Sequence, residues 1–204
     1  AASDVYKRQA DPVYLSDFDS YVSAMKDVHV LVVHEDRKAR IADQLKNVAA
    51  TKQLQPVADD NLLDEVTGLV EWPNVIMGQI ETEFMSLPPE VLVTSMRVHQ
   101  KFFALSQKGE TEHLAPFFMT VTNRRSDLVN DKLIAAGNGR VLRARLADAK
   151  FFYEQDKQTP LESLAEKLGV ITFYEGLGSI ADKAERMAAL AGAIANHLDA
   201  ADPD

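Results

Sequence analysis

Between Gly137 and Asp156 the sequence reads GNGRVLRARLADAKFFYEQD, with Leu142, Leu146, Ala149 and Tyr153 recurring at helical spacing. A stripe of that kind needs a packed surface to bury it, so the chain must supply a core large enough to hold a long helix. Arg140, Arg143 and Arg145 fall between the apolar positions and project elsewhere. One face is committed to packing, and the rest is free to meet an anion.

The chain has the material for such a core. Its 204 residues, 46% of them hydrophobic, suffice for one sizeable domain plus the start of another. No apolar run approaches the roughly 18 to 20 residues that cross a bilayer, and no secretory signal pattern stands at the start. Cysteine is absent, which excludes disulfides and thiolate zinc sites and fits a reducing cytoplasm. The net charge of −9 argues against a uniformly basic nucleic-acid binder. From Arg97 to Lys157, however, 11 Lys and Arg stand against 7 Asp and Glu, so the middle is locally basic.

The first residues, 1–10 with AASDVYKRQ at Ala1–Gln9, lack hydrophobic periodicity and read as a non-native leader. HVLVV at His29–Val33 predicts a buried strand, and the spacing of Ile41, Leu45, Val48 and Ala49 predicts a helix over 34–52. Asp59 or Asp60 is placed to cap a second helix that ends at Trp72-Pro73. A strand is expected at Val75–Ile80, and Pro88-Pro89-Glu90 opens a third helix running to about His99. Lys101–Leu105 and Pro116–Asn123, separated by a polar glycine-containing stretch, predict an antiparallel hairpin.

Leu128–Ala136 and Arg140–Glu154 read as two helices divided by a turn at Gly137 and Gly139. A short helix is expected from Thr159-Pro160 to Leu168, Val170–Tyr174 is strand or buried loop, and a last helix covers Ile180–Leu198. Such an order predicts an α+β fold, a mainly antiparallel sheet flanked by helices, over 11–174, with a helical region starting at 175–204. The boundary is expected near Phe173–Ser179.

Familiar catalytic patterns are missing. The five histidines form no HExxH or ligand-spaced pair, so no metal site is expected, and His34-Glu35-Asp36 reads as acids placed at a helix start. The glycine pairs lack the Lys and Ser/Thr of a phosphate loop, and no nucleophile motif occurs. Asp64, Glu65 and Glu71 read as a solvated face, and Trp72 with the pairs Phe102-Phe103, Phe117-Phe118 and Phe151-Phe152 reads as core.

The basic residues carry more. Arg124 and Arg125 follow a predicted strand while Arg140, Arg143 and Arg145 flank the glycine turn, so the five are candidates to converge on phosphates. Docking to another domain or subunit is an open alternative. So is intramolecular pairing, for which Arg145–Asp148 and Lys150–Glu154 have helical spacing.

Five blocks stand in order: LLDEVTGLVEWP at Leu62–Pro73, PPEVLVTSMRVHQKFFAL at Pro88–Leu105, FFMTVTNRRS at Phe117–Ser126, the Gly137–Asp156 run, and EGLGSIADKAERM at Glu175–Met187. Together they resemble the beta-subunit family of the two-subunit bacterial glycyl-tRNA synthetases. The resemblance implies a cytoplasmic hetero-oligomer of alpha and beta subunits that attaches glycine to tRNA(Gly) using ATP and Mg, with the adenylate-forming site on the alpha subunit. It implies that this chain holds the end of a B3/4-like region and the first helix of an HD-like region, with no catalytic residue and no bound cofactor of its own. No His-Asp dipeptide occurs, so HD-type metal chemistry transfers to no residue here.

Overall fold

The computed structural model describes residues 12–109 and 113–198, so the leader reading for 1–10 lies outside the described residues. The chain forms two compact units divided between Lys150 and Phe151. That division lies N-terminal to the compositional change at Phe173–Ser179.

In the first unit, α1 (Phe18–Asp27) is a helix that apolar periodicity does not announce, although its Asp17-x-x-Ser20 pattern closes a reciprocal capping box. The next segment corrects an expectation. His29–Val33 is not a strand: it is irregular, with His29 in the left-handed region, tied by the Leu31 N–H to Glu71 O at 3.0 Å and by Arg37 Nη1 donating to Leu31 O and Val32 O. β-branched residues favour extended backbone, but a strand also needs a neighbour with a free edge, and the sheet forms elsewhere.

α2 (His34–Ala50) starts with Glu35 and Asp36 in its first turn, as the dipole favours. β1 (Leu54–Pro56), unanticipated, is followed by α3 (Asp60–Leu69), where the Asp59 carboxylate accepts from the Leu62 N–H. β2 (Pro73–Gln79) leads through a 3-10 turn at Thr82–Phe84 to α4 (Pro89–Gln100), which begins on proline and ends at Lys101 in left-handed conformation. β3 (Phe103–Gln107) and β4 (Leu114–Asn123) form the predicted hairpin, and α5 (Leu128–Asp156) follows.

The four strands make one sheet in the order β1-β3-β4-β2, antiparallel throughout. The fold is α+β, as the interspersed pattern predicted. Register pairs Val75 with Val121 and Met77 with Met119, and alternation sends these side chains to one face. There Val75, Phe103, Leu105 and Met119 pack with Ile41 and Leu45 of α2 and Leu62 and Val66 of α3.

On the opposite face Gly78 pairs with Phe118, whose ring stacks on Phe102 at 4.7 Å and is fully buried. A β-carbon built on Gly78 would meet that ring at 2.2 Å. Leu142 and Leu146, the only buried residues of α5 among those described, lie with Ile76, Ile80 and Phe84.

The 29-residue α5 corrects the expected break: Gly137 and Gly139 stay helical. Glycine lowers helix propensity by about 1 kcal/mol, but the Leu142 and Leu146 anchors outweigh it, and Gly139 approaches the β2 carbonyl of Gln79. Phe151 and Phe152 are 63% and 59% exposed, so that aromatic pair is not core. Trp72 is likewise half-buried, held between the Arg40 guanidinium, 4.3 Å from its centroid, and the His29 ring at 4.7 Å.

The second unit contains α6 (Leu161–Ala165), a 3-10 turn at Glu166–Val170, the pair β5 (Thr172–Tyr174) and β6 (Gly178–Ser179), and α7 (Ile180–His197). Val170–Tyr174 therefore resolves into a short exposed strand. Ser179 and Asp182 form a capping box at the start of α7, on which no described residue is buried.

Candidate nucleic-acid interface

The start of α5 is set by Asp127. Its carboxylate accepts from the Val129 and Asn130 N–H groups at 3.1 and 3.4 Å and from the Asn130 side-chain amide at 2.6 Å. That amide first, then the two backbone N–H groups, hold the Asp127 carboxyl below its usual range, with Arg124 adding a smaller pull. A carboxyl depressed in the folded state supports it above the unfolded pKa and loses that support as pH falls through the folded value. Acidification below about pH 4, the reference range for Asp, should therefore fray this turn. Faster amide exchange at Val129 and Asn130, corrected for intrinsic pH dependence and absent in Asp127→Asn, is the expected result.

Arg124 lies 3.8 Å from Asp127, and Arg125 Nη2 is 2.8 Å from His29 Nδ1. These two border a surface recess with His29, Trp72 and Ser126. The other three arginines sit well along α5: Arg140 is about 18 Å of helix beyond Leu128 at 1.5 Å per residue. The five predicted cations therefore do not converge.

Helical geometry also divides the three arginines of α5. Arg140 and Arg143 border a groove between α5 and β2, whereas Arg145 projects about 160° around the helix from Arg143. Arg143 Nε is 3.4 Å from Glu81 Oε1. Arg140 and Arg145 are exposed and have no side-chain partner among the described residues. The expected helical pairs are replaced: Lys150 reaches Glu83 at 3.7 Å and Glu154 meets Lys157 at 3.5 Å. Asp64 is bound by Lys38 and Glu65 by Lys101, at 2.5 and 2.7 Å.

The groove encloses about 600 Å³ and is lined mainly by Ile76, Ile80, Phe84, Leu142 and Leu146. Lys132, which sequence reasoning missed, stands on its rim with Arg140 and Arg143. Lys132, Ala136, Arg140 and Arg143 form one ridge at i, i+4, i+8 and i+11, a signal visible only when the helix is read through its glycines. Among the described residues no three His, Asp or Glu gather as a metal site.

Among the described residues, the sheet supports a helix whose cations face outward. Relatives of the chain are subunits of aminoacyl-tRNA synthetases. The family described as glycyl-tRNA synthetase beta subunit matches residues 3–203, and the chain belongs to that family. It is 44% identical over 189 residues to the glycine–tRNA ligase beta subunit of Rhodospirillum centenum, covering 92% of this chain and 26% of that protein. With the corresponding subunit of Bacillus subtilis the identity is 41% over 181 residues, covering 89% and 26%. The chain spans about a quarter of the length of these curated relatives.

Proposed function

We propose that this chain is the part of a glycine–tRNA ligase beta subunit that contacts tRNA(Gly), within a cytoplasmic assembly with an alpha subunit. It supports ATP-dependent attachment of glycine without carrying the adenylation site; ATP and Mg serve the whole enzyme. The observation behind this reading is the orientation of α5. Leu142 and Leu146 are buried, and the same packing leaves Arg140, Arg145 and Lys132 exposed without side-chain partners among the described residues. Unpaired cations on a rigid helix suit a polyanion, because binding releases counterions without first breaking internal ion pairs.

Reversal of Arg140, Arg143 and Arg145 to Glu in the complete assembly is expected to weaken tRNA binding at least about tenfold. It should also flatten the salt dependence by about 0.7–0.9 for each phosphate no longer neutralised. Unchanged affinity and slope would refute RNA binding by this face. A second reading, docking to another domain or subunit, is favoured by the exposed Leu128, Val129 and Leu133 on the first half of α5. Loss of subunit association in the same variants, with tRNA affinity of the residual assembly intact, would support it.

A further inference from the structure

The groove beside β2 offers free peptide groups as well as an apolar lining. In an antiparallel pair only alternate residues bond across the ladder. The Ile80 N–H donates to Pro116 O at 2.9 Å, and the register continues through Gly78–Phe118, Ile76–Thr120 and Asn74–Thr122, so these residues turn toward β4. Val75, Met77 and Gln79 turn their peptide groups to the open edge, where Gln44 Oε1 accepts the Val75 N–H at 2.8 Å. The Met77 carbonyl and the Gln79 N–H have no such partner among the described residues.

We propose that this groove takes one unpaired nucleotide of an RNA partner. An acceptor beside a donor, the Met77 carbonyl and the Gln79 N–H, matches the donor–acceptor edges that unpaired bases expose. Ile80, Phe84 and Leu142 offer an apolar lining to the ring, and Lys132 and Arg140 stand where the phosphate emerges. The two acids at the groove are already engaged: Glu81 by Arg143, and Asp131 by Asn74, Ser126 and the Asp127 N–H. Lys132, Arg140 and Arg143 outnumber Glu81 and Asp131 at the groove, and this net positive rim around an apolar floor fits an anionic, flat-faced group.

An added peptide strand fits less well. It needs an edge open at both ends, whereas the 3.2 Å bond from Asn74 Nδ2 to Asp131 Oδ1 bounds one end, and Gly139 lies beside Gln79 at the other. Gly139 has a specific role there. A β-carbon on it would find only the Gln79 carbonyl, at 3.9 Å, so a larger side chain enters the groove without striking the core.

This inference rests on α5 meeting RNA, and its test separates the two. In the complete assembly, Gly139→Leu fills the groove without changing charge, while Gly137→Leu makes the same chemical change where nothing lies within 4 Å. Binding of tRNA is measured by anisotropy across a salt series, with melting temperatures checked against the parent. Gly139→Leu is expected to lower affinity about tenfold, the scale of one stacked base, with its salt slope falling by no more than the roughly 0.7 of one phosphate, and Gly137→Leu to leave both unchanged. Unaltered affinity in Gly139→Leu overturns the nucleotide site even where arginine reversal still weakens binding. Equal losses in both variants, or loss of subunit association with tRNA affinity intact, overturn it as well, the latter assigning the groove to a protein segment.

Discussion

Replacement of Gly78 by valine is expected to destabilise the first unit by about 1–3 kcal/mol, the usual range for overpacking a filled core. Valine favours strands, so propensity alone predicts the opposite sign. Geometry decides, because the new β-carbon would lie 2.2 Å from the Phe118 ring. That ring cannot swing aside: it is fully buried and stacked on Phe102. Urea denaturation followed by the single tryptophan, Trp72, should show a lower midpoint at unchanged slope. Phe118→Leu combined with Gly78→Ala should cost less than the sum of the two single changes, since the smaller side chain vacates the space that the new methyl needs. Additive losses would mean that Gly78 acts through backbone freedom.

The second large effect is expected at Leu146. It is fully buried beneath α5, and truncation to alanine removes a side chain from a site whose walls are a sheet and a helix, neither of which collapses easily. A loss of about 2–5 kcal/mol follows from the transfer and cavity terms together. Leu133, on the same helix but 66% exposed, serves as the control, and its alanine variant should stay within about 0.5 kcal/mol of the parent. Equal effects at both positions would contradict the orientation of α5 on which the cationic face depends.

That orientation was partly legible in the sequence. Leu142 and Leu146 announced the buried stripe, and the antiparallel hairpin, the cap at Asp59 and the proline helix start at Pro89 stood where local chemistry puts them. Elements that depend on distant partners were not legible. HVLVV has strand composition but no ladder partner, whereas Leu54–Pro56 pairs with β3 despite ending in proline. Gly137 and Gly139 read as a break because propensity is local, yet the packing that keeps them helical comes from β2 and the turn after it. The arginines were identifiable as a set but could not be placed around a helix whose continuity was missed. The groove edge at Met77 and Gln79 is a property of peptide groups, which no side-chain motif reports.

The strand order carries a further consequence, for how the sheet comes into being. Its two inner strands, β3 and β4, are neighbours in the chain and can meet after a short loop closes. Each outer strand must be recruited from far away: Leu54 pairs with Gln107, and Val75 with Val121. Closing such long intervals loses chain entropy that is recovered only when a template is already present. The hairpin is that template, so β1 and β2 are added to its opposite sides once it has formed, and the open edge that borders the groove exists only once β2 has paired with β4.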